Sequence, residues 1–249
     1  MGTRRTRRFW LCWALALAVT AVWTISASPV QTSQPVGGAA HGSYVALTFD
    51  DGPWPGTTNA LLDGLAQRGV KATFFLVGEQ VAERAETVRR MADEGHQIGL
   101  HTWHHVSLKG MTPDQITSQL DQTRAAIREI VGPVDLMLRP PYGFVDDTLR
   151  QWAKAPIICW SLDTEDWKDP TPSRITADIL RQVKDGDIIL MHDIFETSVT
   201  AALAAVDQLL AQGYRLVTVE ELFAQRGQDP QPGAVYCSLP PAQKEEVEP

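Results

Sequence analysis

Seven short apolar runs, alternating with stretches of helical periodicity, constrain this chain more than any other feature. The runs lie at 44–49, 72–77, 97–100, 135–139, 157–162, 187–191 and 215–219. Each has strand length and is rich in Val, Ile, Leu or Phe. The spacing predicts helices at 57–68 before Gly69, at 79–94 before Gly95, from Thr112 onward, at 173–183 and at 196–210 before Gly213. Thr112-Pro113-Asp114-Gln115 reads as a helix start: a cap residue, proline in the first turn and Gln at the capping-box position. Strand and helix in alternation call for an α/β fold with a parallel sheet. Near-continuous apolar strands, such as Ile188-Ile189-Leu190-Met191, fit a sheet covered on both faces.

The ends of the chain read differently. Arg4, Arg5, Arg7 and Arg8 precede residues 9–25, which carry no charge. That stretch is long for a signal-peptide core and slightly short for a spanning helix. Residues 1–28 are therefore expected to be a signal peptide or an N-terminal membrane anchor. The basic start stays cytoplasmic, so the remainder is expected to be exported to the cell envelope or secreted. Residues 29–42, rich in Pro, Gly, Gln, Ser and Ala, read as a flexible linker. Residues 43–227 suffice for one domain with a substantial core. Residues 228–249 read as a Pro-rich acidic tail without regular structure.

Charge bounds the partners. The chain has 22 basic and 30 acidic residues, and four of the basic ones sit in the leader. Such a domain repels nucleic acid and bare anionic lipid, so membrane contact is expected only through the N-terminal segment. No glycine loop of the phosphate-cradling kind and no basic stripe is present. The three cysteines, Cys12, Cys159 and Cys237, do not make a disulfide framework. Cys159 reads as a small buried hydrophobe, and a bridge to Cys237 depends on whether the tail reaches it.

Two residue pairs carry the chemistry. Asp50 and Asp51 follow the first apolar run directly, and His101 and His105 follow the third. Imidazoles with a carboxylate suit zinc and similar divalent ions. Three protein ligands leave positions open, which is a catalytic arrangement rather than a structural one. Adjacent acids at a strand end cannot both point the same way, so one can hold metal while the other faces substrate as a base. Taken alone, His101 and His105 could equally be two exposed histidines one helical turn apart, and Asp50 a turn residue.

Thr48-Phe49-Asp50-Asp51-Gly52 and His101-Thr102-Trp103-His104-His105 resemble the first two motifs of the polysaccharide deacetylases, the NodB-homology or carbohydrate esterase family 4 enzymes. Three more follow in the family's order: Arg139-Pro140-Pro141-Tyr142-Gly143, Asp163-Thr164-Glu165-Asp166-Trp167 and Leu190-Met191-His192-Asp193. The resemblance implies metal-dependent removal of acetyl groups from N-acetylated sugars. It matches Asp51, His101 and His105 to the metal ligands and Asp50 to the general base. Arg139 is implied to hold Asp50, and the backbone N–H of Tyr142 to donate to the oxyanion. His192 matches the general acid and Asp166 its partner, while Trp167 and Leu190 would wall the acetyl pocket. His104 is left out of the ligand set, His41 and His96 read as linker and strand-entry residues, Asp163 as equally a loop cap or a catalytic residue, and Asp193 as a strand-end residue.

The motifs fall at the C-terminal ends of different predicted strands. Those ends converge on one mouth if the sheet curls into a barrel. A distorted seven-stranded (β/α) barrel, TIM-barrel-like, is also what the resemblance implies. One divalent ion is expected, zinc first, with cobalt, nickel or manganese as alternatives. The substrate is expected to be an N-acetylglucosamine-type polysaccharide. The leader and the lack of an appended binding module favour peptidoglycan; chitin oligosaccharide and acetylxylan are alternatives, as is a catalytically silent glycan-binding relative. A monomer is expected. Leu100 and Phe195 stand where relatives often carry polar residues, which bears on sugar preference rather than on the chemistry.

Overall fold

A computed structural model describes residues 42–241. The leader, nearly all of the linker, His41 and the last eight residues of the tail lie outside the described residues. Among the described residues no helix is long and apolar enough to cross a membrane.

The first strand, β1 (Tyr44–Asp50), is central. It pairs in parallel with β2 (Thr73–Leu76), β6 (Ile188–His192) and β7 (Arg215–Val217). β2 continues to β3 (Gln97–Leu100), and β6 to β5 (Leu162–Asp163). Leu138 bridges both Leu100 and Ile157 and so joins β3 to β4 (Ile157–Ile158). Because β4 runs on into β5, the parallel strands curl into a barrel that stays open at 159–161. This is the distorted α/β barrel expected from the sequence.

Alternation along each strand sorts its side chains. Val45, Leu47 and Phe49 belong to the large core cluster that includes the helices, as do Phe74, Leu76, Ile189 and Met191. Ala46, Phe75, Met137, Ile158 and Ile188 form a second cluster. A period of two therefore puts Thr48 and Asp50 on the face of Ala46, and Leu190 and His192 on the face of Ile188.

The helices form the outer layer. α1 (Pro55–Arg68) starts with proline in its first turn and ends at Gly69, whose φ of +64° suits a residue without Cβ. The stretch expected as one helix at 79–94 is two, α2 (Gly78–Glu83) and α3 (Ala85–Asp93), because Arg84 between them is not helical. α4 (Pro113–Val131) begins with the expected capping box of Thr112 and Gln115. α5 (Asp147–Trp152) was not anticipated. α6 (Pro172–Gln182) and α7 (Glu196–Ala211) lie within a residue of expectation.

Three strand expectations change. The 135–139 run contributes only Leu138 to the ladder. The 157–162 run splits, because the buried Arg139 guanidinium takes the Ile158 and Cys159 carbonyls at 3.2 and 3.0 Å. The 215–219 run stops at Val217, because Thr218 caps α8 (Val219–Gln225) in a second capping box with Glu221.

The tail is also ordered further than its composition suggests. β8 (Val235–Tyr236) pairs in parallel with β4, in register Ile157 to Val235 and Ile158 to Tyr236. Tyr236 packs edge-on against Phe223 at 4.8 Å, and Leu239 is buried beside it in the second cluster. Gly186 (φ +92°) makes room for this segment: a Cβ there would lie 2.1 Å from the Leu239 carbonyl oxygen. Cys159 and Cys237 follow β4 and β8 as neighbours, both as free thiols, with a hydrogen bond between the side chains.

Candidate active site

The C-terminal ends of β1, β3 and β6 and the loops after Leu138 and β5 converge on a cleft of about 380 Å³. Asp50, Asp51, His101, His105, Tyr142, Trp167, Leu190 and His192 all line it. Thus the cleft gathers every predicted site residue except Arg139 and Asp166, which lie buried behind it.

Asp51 leaves the strand, so both acids line the same cleft instead of pointing apart as expected. Its φ of +76° is a left-handed conformation that non-glycine residues rarely adopt. Asp51 Oδ1 then lies 3.3 Å from His101 Nε2 and 3.1 Å from His105 Nε2. One ligand atom from each of Asp51, His101 and His105 falls within 4.8 Å of the others. His101 Nδ1 lies 2.7 Å from the Arg139 carbonyl oxygen, which can only accept, so Nδ1 carries the proton and donates. That leaves the Nε2 lone pair facing Asp51, the tautomer a metal ligand needs. Asp51 Oδ1 is buried with no hydrogen-bond partner. These residues fit a divalent ion: two imidazole nitrogens and one carboxylate on one side, open cleft on the other. Burial disfavours charge on Asp51, yet the adjacent His101 and His105 imidazoles outweigh this and hold it well below the usual carboxylate range. His101 is pushed up in turn: burial opposes its charge, but Asp50 and Asp51 prevail.

Asp50 is buried at the end of β1. Arg139 Nη1 donates to its Oδ1 at 2.8 Å and to Thr48 Oγ1 at 2.6 Å. Arg139 is wholly buried, with its guanidinium 4.2 Å from the centroid of Phe75. Its remaining bonds to the Ile158 and Cys159 carbonyls leave it little freedom. Asp50 Oδ2 is 3.8 Å from His101 Nε2, so the carboxylate borders the ligand set without joining it.

His192 is the residue in register with Asp50 on the neighbouring strand. Asp166 grips it twice: Oδ1 accepts from Nδ1 at 2.8 Å and Oδ2 from the backbone N–H at 2.8 Å. Nε2 is thereby left for the cleft. Burial lowers the affinity of His192 for its proton, but Asp166, with Asp50 and Asp51, more than reverses this, and its pKa is pushed up to about 9. Burial would raise Asp166, yet its bonds to His192 hold it below the usual range.

A family model described as polysaccharide deacetylase matches residues 37–156. The peptidoglycan-N-acetylmuramic acid deacetylase PdaC of Bacillus subtilis (strain 168) is 42% identical over 178 residues, 72% of this chain and 38% of that protein. A solved structure, the T48 deacetylase with substrate, is 42% identical with a TM-score of 0.75, covering 78% of this chain and 96% of that one. The chain belongs to the polysaccharide deacetylase family. A family 4 acetyl xylan esterase from Clostridium thermocellum, solved in complex with cobalt, is 35% identical with a TM-score of 0.76, covering 79% and 99%. Against PdaC the chain spans little more than a third of the relative's length.

Other deacetylase motif residues take distinct places. Tyr142 sits in the loop after Pro140-Pro141 with φ +63°, its ring exposed and edge-on to His105 at 5.2 Å. Trp167 is exposed at the rim, and Leu190 is a buried wall. Asp163 reaches the cleft, so it is more than a distant loop cap. His104 is half exposed and turns to Glu79 at 2.6 Å, outside the ligand group. His96 is buried at the entry to β3, its Nδ1 accepting from the Ala72 N–H.

Sequence reasoning missed Trp160 as a wall of the cleft; Phe195, expected to bear on sugar preference, lines it as well. Trp160 read as strand interior and belongs to none of the motifs. Its ring closes on Gly143, where a Cβ would come within 2.8 Å. Thr48, the first residue of its motif, was also overlooked as a support for Arg139.

Proposed function

We propose that this chain is a metal-dependent deacetylase that removes acetyl groups from N-acetylglucosamine-type polysaccharide, peptidoglycan first. The observation that carries the reading is one cleft lined by the Asp51, His101 and His105 set, by Asp50 with Arg139 behind it, and by His192 with Asp166 behind it. Asp51, His101 and His105 would hold a divalent ion, which would supply Lewis acidity.

The side chains supply the rest. Asp50, held by Arg139, takes a proton from the water that attacks the acetyl carbon. The Tyr142 backbone N–H donates to the developing oxyanion. His192 Nε2 gives its proton to the leaving nitrogen as the C–N bond breaks, so acetate and a free amine depart. Asp166 keeps that imidazolium charged and oriented. Leu190 and Trp167 enclose the acetyl methyl.

Zinc is the proposed ion, because two imidazoles and a carboxylate are its usual catalytic ligands; the cobalt in the Clostridium relative shows that a family member accepts another. Peptidoglycan is supported by PdaC, named for its N-acetylmuramic acid residues, and by the Listeria monocytogenes deacetylase PgdA, named for its N-acetylglucosamine residues; chitin oligosaccharide and acetylxylan are the alternatives, the latter carried by the Clostridium enzyme's name. Export through residues 1–28, to the envelope or beyond, and a monomeric state complete the proposal. The test is acetate release from purified peptidoglycan, chitin oligosaccharides and acetylxylan, with and without chelator. Chelator-sensitive release, greatest from peptidoglycan, is expected. Release that ignores the chelator, or none from any glycan, overturns the reading.

A further inference from the structure

Asp193 has no part in the chemistry above, yet it is wholly buried next to His192. Its carboxyl faces the turn between β1 and α1. A Cβ placed on Gly52 would lie 2.5 Å from Asp193 Oδ2 and 2.6 Å from Oδ1, so the Gly52 backbone rests directly on the carboxyl. The Thr58 hydroxyl donates to Oδ2 and accepts the Trp54 N–H at 2.8 Å. Asp193 thus touches the 51–54 turn at one point directly and at another through Thr58.

That turn needs holding. Asp51 sits at φ +76°, a conformation that costs free energy and persists only where its surroundings impose it. On the far side the turn is tied by one backbone bond, from the Val77 N–H to the Gly52 carbonyl at 3.1 Å. A buried carboxyl is an expensive way to fill a core position, since Oδ1 of Asp193 has no hydrogen-bond partner among the described residues. An apolar side chain of the same size would avoid that cost but would leave Thr58 and Trp54 without their relay.

We infer that Asp193 is a positioning residue for the metal-binding carboxylate: through Gly52 and Thr58 it holds the turn that sets Asp51 against His101 and His105. The inference rests on the proposed metal site. It acts on ion affinity and turnover without touching substrate.

The test uses the full chain, stripped of metal, with zinc(II) as probe in competition with a chromophoric chelator. Asp193→Ala and Thr58→Val are each expected to weaken zinc binding about 10- to 100-fold, as lost outer-sphere partners do. kcat on a chitin oligosaccharide should fall with KM little changed. Asp193→Asn, whose amide oxygen still accepts from Thr58, should recover most of both. The double variant should bind zinc no more weakly than the worse single one, because both remove one relay. If Asp193→Ala does not fold, Thr58→Val and Asp193→Asn carry the comparison. Zinc affinity and kcat at wild-type levels in variants with a lowered Tm would make Asp193 purely structural and overturn the inference alone. A wild-type chain that binds no zinc would overturn it together with the metal site.

Discussion

Asp166 holds His192 by both of its carboxylate oxygens, one on the ring Nδ1 and one on the backbone N–H, each at 2.8 Å. The ring can neither rotate nor shed its proton easily, and the partner raises its pKa to about 9. An acid that must be protonated works below that value and fails above it. The alkaline limb of the kcat/KM profile is therefore expected near pH 9. Asp166→Asn should move it down toward the ordinary histidine range of about 6.5. The same raised pKa makes the pair stabilise the fold fully below about pH 6.5, an effect lost as pH rises through about 9. An unshifted limb in Asp166→Asn would exclude His192 as the titrating acid.

His192→Ala should cost about 10²- to 10⁴-fold on an N-acetyl sugar, the usual worth of a positioned acid. An aryl acetate, whose leaving group needs no proton, should lose far less. Equal losses on the two substrates would remove His192 from the leaving-group role.

His101→Ala should abolish stoichiometric zinc, measured by metal analysis of dialysed protein, and activity with it. Asp50→Asn should keep the ion and lose turnover, because Asp50 borders the ligand set at 3.8 Å without joining it. Metal loss in Asp50→Asn would show that the two acids divide their work differently.

Arg139→Met should be costly beyond catalysis. It strands the buried Asp50 carboxylate, and breaking a buried pair from one side typically costs about 3–5 kcal/mol. It also frees the Ile158 and Cys159 carbonyls where the barrel stays open. Urea unfolding should show this loss, and a variant as stable as wild type would contradict the account of the split strand.

His96 gives an acid-side prediction away from the cleft. Burial first, then Lys71, pushes it down to about 4, and Glu94 at 3.7 Å does not reverse this. Its neutral form is thus favoured by folding. That stability is whole above about pH 6.5 and drains away as pH falls toward 4, by about 1.4 kcal/mol per pH unit. Urea midpoints at pH 7 and 4.5 should diverge in wild type and much less in His96→Gln.

Much of the fold was legible because period and punctuation agree. β1, β3, the Thr112 cap and the Gly69 stop follow local rules that tertiary contacts did not override. The strand ends at 158 and 217 were not, since they depend on Arg139 from elsewhere in the chain and on Thr218 competing as a helix cap. In the cleft, residues adjacent to a motif could be named from sequence. Trp160 was not named, because it belongs to none of the motifs. Asp193 and Thr58 are 135 positions apart, and no local pattern announces such a contact.

The β8 strand has a practical consequence. Composition suggests that the folded unit ends near residue 227, where prolines begin. A chain cut there would lose the partner of β4 and the buried Leu239, leaving an unpaired strand edge beside exposed Phe223. Such an edge invites pairing with another molecule. The shortened protein should therefore form aggregates rather than a smaller working enzyme, and the minimal soluble unit should extend at least to Leu239.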